Sequence, residues 1–236
     1  MISALPIAGG SVACGVAAMA WAVRGRASAV FGPSVWRGPR ERRSVALTFD
    51  DGPSEDTPRI LEILGAHGAP ATFFPCGANV ARLPGLARAV AEAGHETGNH
   101  GYAHPLCCFR SGRFIEADMA RAQQVILEHT GARPVWFRAP YGVRWFGIGR
   151  AQRRLGLHGV MWTVMGYDWN LRAEAIVERM ARRVSHGAIL CLHDGRGLRT
   201  RPDIGATIEA VRGLLPLLLE RGYKLETVSQ LLCPTT

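Results

Sequence analysis

Two aspartates stand side by side in the stretch "TFDDGP", Asp50 and Asp51. The residues before them, Val45 to Phe49, are of types that bury, so both carboxylates fall at the end of a buried strand. There they repel and are poorly solvated. Further along, "NHGYAHP" carries His100 and His104 at i, i+4, a spacing that one helical turn can bring onto a single ion. Two imidazole nitrogens and a carboxylate oxygen make a facial set for zinc or a similar divalent cation, with positions left for water and substrate. A lone His-x3-His is usually a surface pair or a helix cap. This one comes with paired aspartates, with "FRAPYG" (Arg138, Pro140, Tyr141), with "YDW" (Asp168, Trp169) and with "CLHD" (Cys191, His193, Asp194).

Each cluster follows a short apolar run. "SVALTF", "PATFFP", "HETGN", "PVWFRAP", "GVMWTV", "GAILCLHD" and "YKLETVSQLL" read as strands or strand-led ends. Between them lie amphipathic stretches with helical spacing: Thr57 (as N-cap) to about His67, "LPGLARAVAEAG", "SGRFIEADMARAQQVILEHTG", "GIGRAQRRLG", "RAEAIVERMARRVS" and "IGATIEAVRGLLPLLLERG". Strand-then-helix repetition implies α/β architecture with parallel strands inside and helices outside. About seven such units in roughly 190 residues is short for a regular eightfold barrel of about 250. The expectation is a compact, irregular (β/α) barrel of about seven strands. The polar clusters would lie at the strand ends where barrels of this kind carry their sites.

The chain has 236 residues, a formal net charge of +9 and a single lysine, Lys224, so its cations are nearly all arginine. That balance favours anionic surroundings. The arginines are not interleaved with aromatics, which argues against nucleic acid as a partner. Six cysteines form no framework: there is no CxxC, and Cys107 and Cys108 are adjacent. They read as free thiols, which favours a reducing compartment. The first 23 residues carry no charge, and Arg24, Arg26, Arg37, Arg40, Arg42 and Arg43 follow. Residues 1–44 are therefore read as a weakly apolar segment and basic linker ahead of a domain at 45–236. The segment is long enough to reach a membrane, and the basic flank places the domain on the cytoplasmic face. Export to the cell envelope is the alternative.

From about Val45 to Leu232 the chain resembles the polysaccharide deacetylases, carbohydrate esterases that include chitin, chitooligosaccharide and peptidoglycan deacetylases. "TFDDGP", "GHETGNHGYAHP", "FRAPYG", "YDW" and "LHD" match five motifs of that family in order. The resemblance implies that Asp50 is a general base and that Asp51, His100 and His104 hold a divalent metal, which offsets the carboxylate repulsion. The metal would be zinc, with cobalt, nickel or manganese as alternatives. It implies that Arg138 holds the base, that His193 is the acid, and that Asp168 orients and charges it. The backbone N–H of Tyr141 would face the oxyanion, with Pro140, Trp169 and Cys191 on the substrate side. Three positions depart from the family pattern: Gly101 for a loop-bracing Ser or Thr, Met165 for an Asp, and Cys191 for a leucine under the acyl group. The last predicts a roomier acyl pocket.

The function so implied is metal-dependent removal of an N-acyl group, N-acetyl above all, from an amino sugar of a polysaccharide, oligosaccharide or peptidoglycan. One alternative is deformylation or deacetylation of a lipid-linked sugar at the membrane. The other is an inactive glycan-binding domain, whose signature would be a missing base or acid.

Overall fold

The computed structural model describes residues 5–232, with side chains from Cys14 onward. Residues 1–4 of the apolar segment and Cys233 fall outside that range. The chain opens with helix α1 (Leu5–Arg24) and a two-residue strand, β1 (Ser34–Val35). Next come β2 (Ser44–Asp50), α2 (Thr57–Ala66), β3 (Thr72–Phe74), α3 (Gly77–Arg82), α4 (Pro84–Glu92) and β4 (Glu96–Thr97). Helix α5 (Gly112–Thr130) leads to β5 (Trp136–Phe137), a 3-10 turn at Pro140–Gly142, α6 (Ile148–Leu155) and β6 (His158–Val160). The remainder is β7 (Val164–Met165), α7 (Ala173–Arg183), β8 (Ala188–His193), α8 (Gly205–Glu220), β9 (Lys224–Glu226) and α9 (Val228–Leu232).

All named strand pairs are parallel. β2 lies between β3 and β8, β4 flanks β3, β7 flanks β8, and β9 pairs with the start of β2. A second sheet runs β1-β6-β5. Every residue of β2 is buried, as a parallel strand covered on both faces requires. Its side chains alternate. Val45, Leu47 and Phe49 join Leu190, Leu192 and the buried faces of α2, α7 and α8 in the outer core, while Ala46 faces Ile189, Phe74, Trp136 and Val160 inside. Burying one such large apolar side chain stabilises the fold by roughly 1.5–3 kcal/mol. The inward face ends in Thr48 and Asp50, in register with Cys191 and His193.

The strand count differs from the expected seven in two places. "GVMWTV" is two strands in different sheets. The Met161 N–H donates to Val35 O at 2.7 Å and the Thr163 N–H to Ile189 O at 2.8 Å, so the chain crosses between the sheets there. On the other side a single bridge, Asn99 to Phe137, joins them. The second difference is β1, which makes part of the expected linker a strand paired with β6. Thr57 does not cap α2. Its hydroxyl accepts from the Ser54 N–H and donates to Asp194.

α1 is one helix whose last turn buries Ala22 and Val23 against Phe31 and Val143. Among the described residues no helix is long and apolar enough to cross a membrane. Every cysteine among the described residues is free.

Candidate active site and metal centre

Asp51 is the first residue beyond β2 and sits at φ +74°, a left-handed conformation that costs a non-glycine residue about 1–3 kcal/mol. Its backbone carbonyl accepts from Asn79 Nδ2 at 2.7 Å, and its Oδ2 accepts from the Gly197 N–H at 2.8 Å. Oδ1 is buried with no donor correctly aimed at it. It lies 3.3 Å from His100 Nε2 and 3.0 Å from His104 Nε2. Burial works to raise the Asp51 pKa, but the two adjacent imidazoles outweigh it and hold the carboxyl well below the usual range.

His100 Nδ1 stands 2.8 Å from the carbonyl oxygen of Arg138. A carbonyl only accepts, so Nδ1 carries a proton, which leaves Nε2, on the Asp51 side, as the ring nitrogen free to ligate a metal. Asp51, His100 and His104 thus offer three ligand atoms within 4.8 Å of one another. An orphaned carboxylate oxygen and an imidazole tautomer fixed from behind fit a divalent cation.

The two histidines do not share a helical turn. Residues 98–107 form an irregular loop, with Gly101 at φ +76° and His104 at φ +49°. The loop is braced from α5: Asp118 accepts from the N–H groups of Tyr102 and Ala103, both at 2.9 Å. Asn99 Oδ1 accepts from the Gly101 N–H. A Cβ on residue 101 would stand 2.6 Å from Asp118 Oδ2. Glycine there therefore goes with a carboxylate that supplies the bracing a hydroxyl would give.

On the neighbouring side, Asp50 Oδ1 accepts from Arg138 Nη1 at 2.7 Å. Arg138 is fully buried. The same nitrogen donates to Thr48 Oγ1, Nη2 donates to Met161 O, and the guanidinium lies 4.2 Å from the centre of the Phe74 ring. Cys191 is also fully buried, with Sγ 3.4 Å from Asp50 Oδ2 and 3.7 Å from Arg138 Nη1. Burial and then Asp50 push its thiol well above the ordinary value, so it stays protonated. Asp50, Cys191 and His193 form a second group with metal-ligand atoms within 4.8 Å. The Arg138 guanidinium already supplies positive charge there, so the Asp51 set is the one suited to a cation.

His193 ends β8. Its Nδ1 lies 2.8 Å from Asp168 Oδ1, and Asp168 Oδ2 accepts from the His193 N–H at 3.0 Å and from Thr207 Oγ1 at 2.6 Å. Burial alone would lower the His193 pKa. Asp168 outweighs it, with help from Asp51 and Asp50, and raises it to about 9. Trp169, half exposed, meets the His193 ring edge-on at 5.1 Å, and Tyr141 meets His104 at 4.5 Å. Tyr141 is also at positive φ, +59°, directly after buried Pro140. Asp194 lies beneath Gly52, where any Cβ would collide with its carboxyl, and burial pushes its pKa up to about 7.

All the residues picked out by type therefore converge at one end of the strands. Those not picked out are the supports: Thr48, Asn79, Asp118, Arg196 and Thr207. Arg196 donates to the Asp168 backbone carbonyl at 3.0 Å and to its Oδ2 at 3.4 Å. No sequence signal marked Arg196 or Thr207 beyond the position of Arg196 two residues after "CLHD".

The family model described as polysaccharide deacetylase matches residues 37–160. A peptidoglycan-N-acetylglucosamine deacetylase of Bacillus cereus is 34% identical over 201 residues, covering 84% of this chain and 92% of that one. A chitooligosaccharide deacetylase of Azorhizobium caulinodans is 35% identical over 201 residues, covering 79% and 93%. Among solved structures, a peptidoglycan N-acetylglucosamine deacetylase bound to a naphthalenyl N-hydroxybenzamide superposes with a TM-score of 0.79 at 27% identity, covering 85% and 92%. A CE4-family pseudoenzyme from Bacillus anthracis superposes at 0.76 with 29% identity, covering 86% and 70%.

Proposed function

The chain belongs to the polysaccharide deacetylase family, and from that premise we propose that it hydrolyses the N-acetyl amide of an amino sugar in a glycan. The observation that carries this reading is the placement of two complementary groups on adjacent residues. Asp51 faces two imidazoles, while Asp50 is held by Arg138 and lies in register with His193.

A divalent cation held by Asp51, His100 and His104 would polarise the amide carbonyl and acidify water. Two nitrogens and one oxygen favour zinc. Asp50 takes a proton from the attacking water as its oxygen bonds to the carbonyl carbon. Arg138 and Cys191 fix the direction in which that carboxylate points. The Tyr141 N–H steadies the negative oxygen that develops. An amide nitrogen leaves poorly as an anion, so His193, kept protonated by Asp168, delivers a proton to it as the C–N bond breaks. The products are acetate and a free amine. Each proton-transfer partner contributes about 10²–10⁴ in rate. Trp169 and Tyr141 flank the mouth and suit the apolar face of a sugar ring.

The test is a panel of acylated chitooligosaccharides, peptidoglycan fragments and a lipid-linked acylated amino sugar. Products are read by mass loss and acid release, with Asp50→Asn as control. Glycan binding without release of any acid by the zinc-loaded chain would instead make it a binding domain.

A further inference from the structure

Beside the site, two loops and the end of α1 build a surface that the reaction does not use. Four aromatic rings touch in sequence. Phe109 lies 5.0 Å from Trp145, Trp145 lies 5.2 Å from Phe146, and Phe31 contacts both Trp145 and Phe146, at 5.5 and 4.6 Å. Phe109 is 88% exposed and Phe146 60%. Phe109 holds its outward position at φ +63°, a strained conformation for a phenylalanine. The two loops meet where the backbones of Gly112 and Gly147 touch.

The helix is fastened to this surface. Arg144, between Val143 and Trp145, is buried, and its guanidinium donates to the carbonyls of Ser28 and Gly25. Its own N–H donates to Val23 O at 3.0 Å. From Cys14 to Trp21 the helix is exposed, with Val16, Met19 and Trp21 open to solvent, and its sequence is uncharged until Arg24. A helix with no charged face is ordinarily covered by something apolar, and a patch of this make-up marks a binding surface.

The charge pattern says what covers it. Residues 1–40, 101–114 and 139–155, the segments that build the patch, contain no Asp or Glu. Exposed Arg24, Arg110 and Arg113 border it, while exposed Arg150 lies against Glu116. Exposed aromatics with cations beside them, next to a helix that is uncharged until Arg24, match the surface of an anionic bilayer. We propose that this face docks on an anionic lipid membrane through Phe109, Phe146 and α1, with the site opening next to the lipid plane. Four residues separate His104 from Phe109, and three separate Tyr141 from Trp145. A membrane-borne amino sugar as substrate follows if the deacetylase reading holds; the docking itself does not depend on it.

The test floats the full, zinc-loaded chain with vesicles of phosphatidylcholine, with and without phosphatidylglycerol. Binding is expected only with phosphatidylglycerol and should weaken as salt rises. Phe109→Ser with Phe146→Ser should lower partitioning at least about tenfold. Both rings are largely exposed, so the variant should stay folded and turn over a soluble substrate at the parent rate. Arg110→Glu with Arg113→Glu should also weaken binding. An acylated amino sugar anchored in the vesicles should be cleaved more slowly by the Phe variant alone. Absence of binding to either vesicle would overturn the proposal, as would full binding by the Phe variant. So would a solution dimer dissolved by Phe146→Ser, which would make the face a contact between copies. Vesicle binding is read without catalysis, so it can fail or hold apart from the deacetylase reading.

Discussion

The thiol of Cys191 lies 3.4 Å from Oδ2 of Asp50, while Arg138 takes Oδ1 at 2.7 Å. Both oxygens of the proposed base are thus held, one by a guanidinium and one by an S–H donor. Cys191 shares the inward face of β8 with His193 but is closed off from solvent. The contact favours a role in aiming the base over a role as floor of the acyl pocket. Cys191→Ala should keep its metal content and lose about tenfold in kcat, the low end for a hydrogen bond to a charged group. Cys191→Leu should crowd Asp50 and Arg138 and slow acetyl and propionyl substrates alike. Measured propionyl-to-acetyl ratios decide the matter, because a sharp turn toward acetyl in Cys191→Leu would return the residue to the pocket.

Removing a ligand should uncouple the fold from the metal. Asp51→Ala, His100→Ala and His104→Ala should each lower zinc content and activity together, by elemental analysis and turnover. Asp50→Asn should keep its zinc and lose at least about 10² in turnover. Full zinc occupancy in Asp51→Ala would remove that residue from the ligand set.

The pKa of about 9 at His193 sets the alkaline side of the pH profile. A general acid works when protonated, so turnover should fall as pH rises through about 9. Asp168→Asn removes the main charge holding the proton there and should draw that limb to lower pH. Stability follows the same sign. His193 is raised above its ordinary 6.5, so its contribution is complete below that value and is lost as pH rises through about 9. Unfolding temperatures of parent and His193→Gln should therefore converge in alkaline buffer.

Gly101 and Asp118 should behave as one unit. Gly101→Ser places a side chain at φ +76° and against the Asp118 carboxylate, at a cost of about 1–3 kcal/mol. Asp118→Ala strands the Tyr102 and Ala103 N–H groups and should cost a similar amount. Both should weaken zinc affinity without touching a ligand, and the double variant should be less than additive. Calorimetric zinc titration and thermal unfolding measure both effects.

The contrast between legible and hidden parts has physical causes. β2 was readable because the apolar run Val45 to Phe49 leads straight into two carboxylates. The long helices were readable from periodicity, and α5 has both signals, Ser111 capping the Phe114 N–H and Gly131 in the left-handed conformation. The division of "GVMWTV" was not readable, because nothing local breaks the run. It is imposed by Val35 on one side and Ile189 on the other. β1 has two residues and α3 six, too few for a periodic pattern. In the site, aspartates, histidines and arginine announced themselves by type. Thr48, Asn79, Thr207 and Asp118 did not, since a polar side chain that braces a loop or a site residue looks like any other until the chain is folded. The helical turn expected for His100 and His104 gave way to a loop because Gly101 and His104 both take positive φ.

The crossover at Met161 to Thr163 does two jobs at once. It passes the chain between the sheets, and its Met161 carbonyl accepts from Arg138 Nη2 at 3.2 Å. The guanidinium that aims Asp50 is therefore fixed by the same short segment that joins the two sheets on that side. Loss of this seam is therefore expected to remove the joint between the sheets and the aim of Asp50 together. A chain that has opened this seam, by denaturant or by truncation after β5, has no way to shelter a working site in its remaining half.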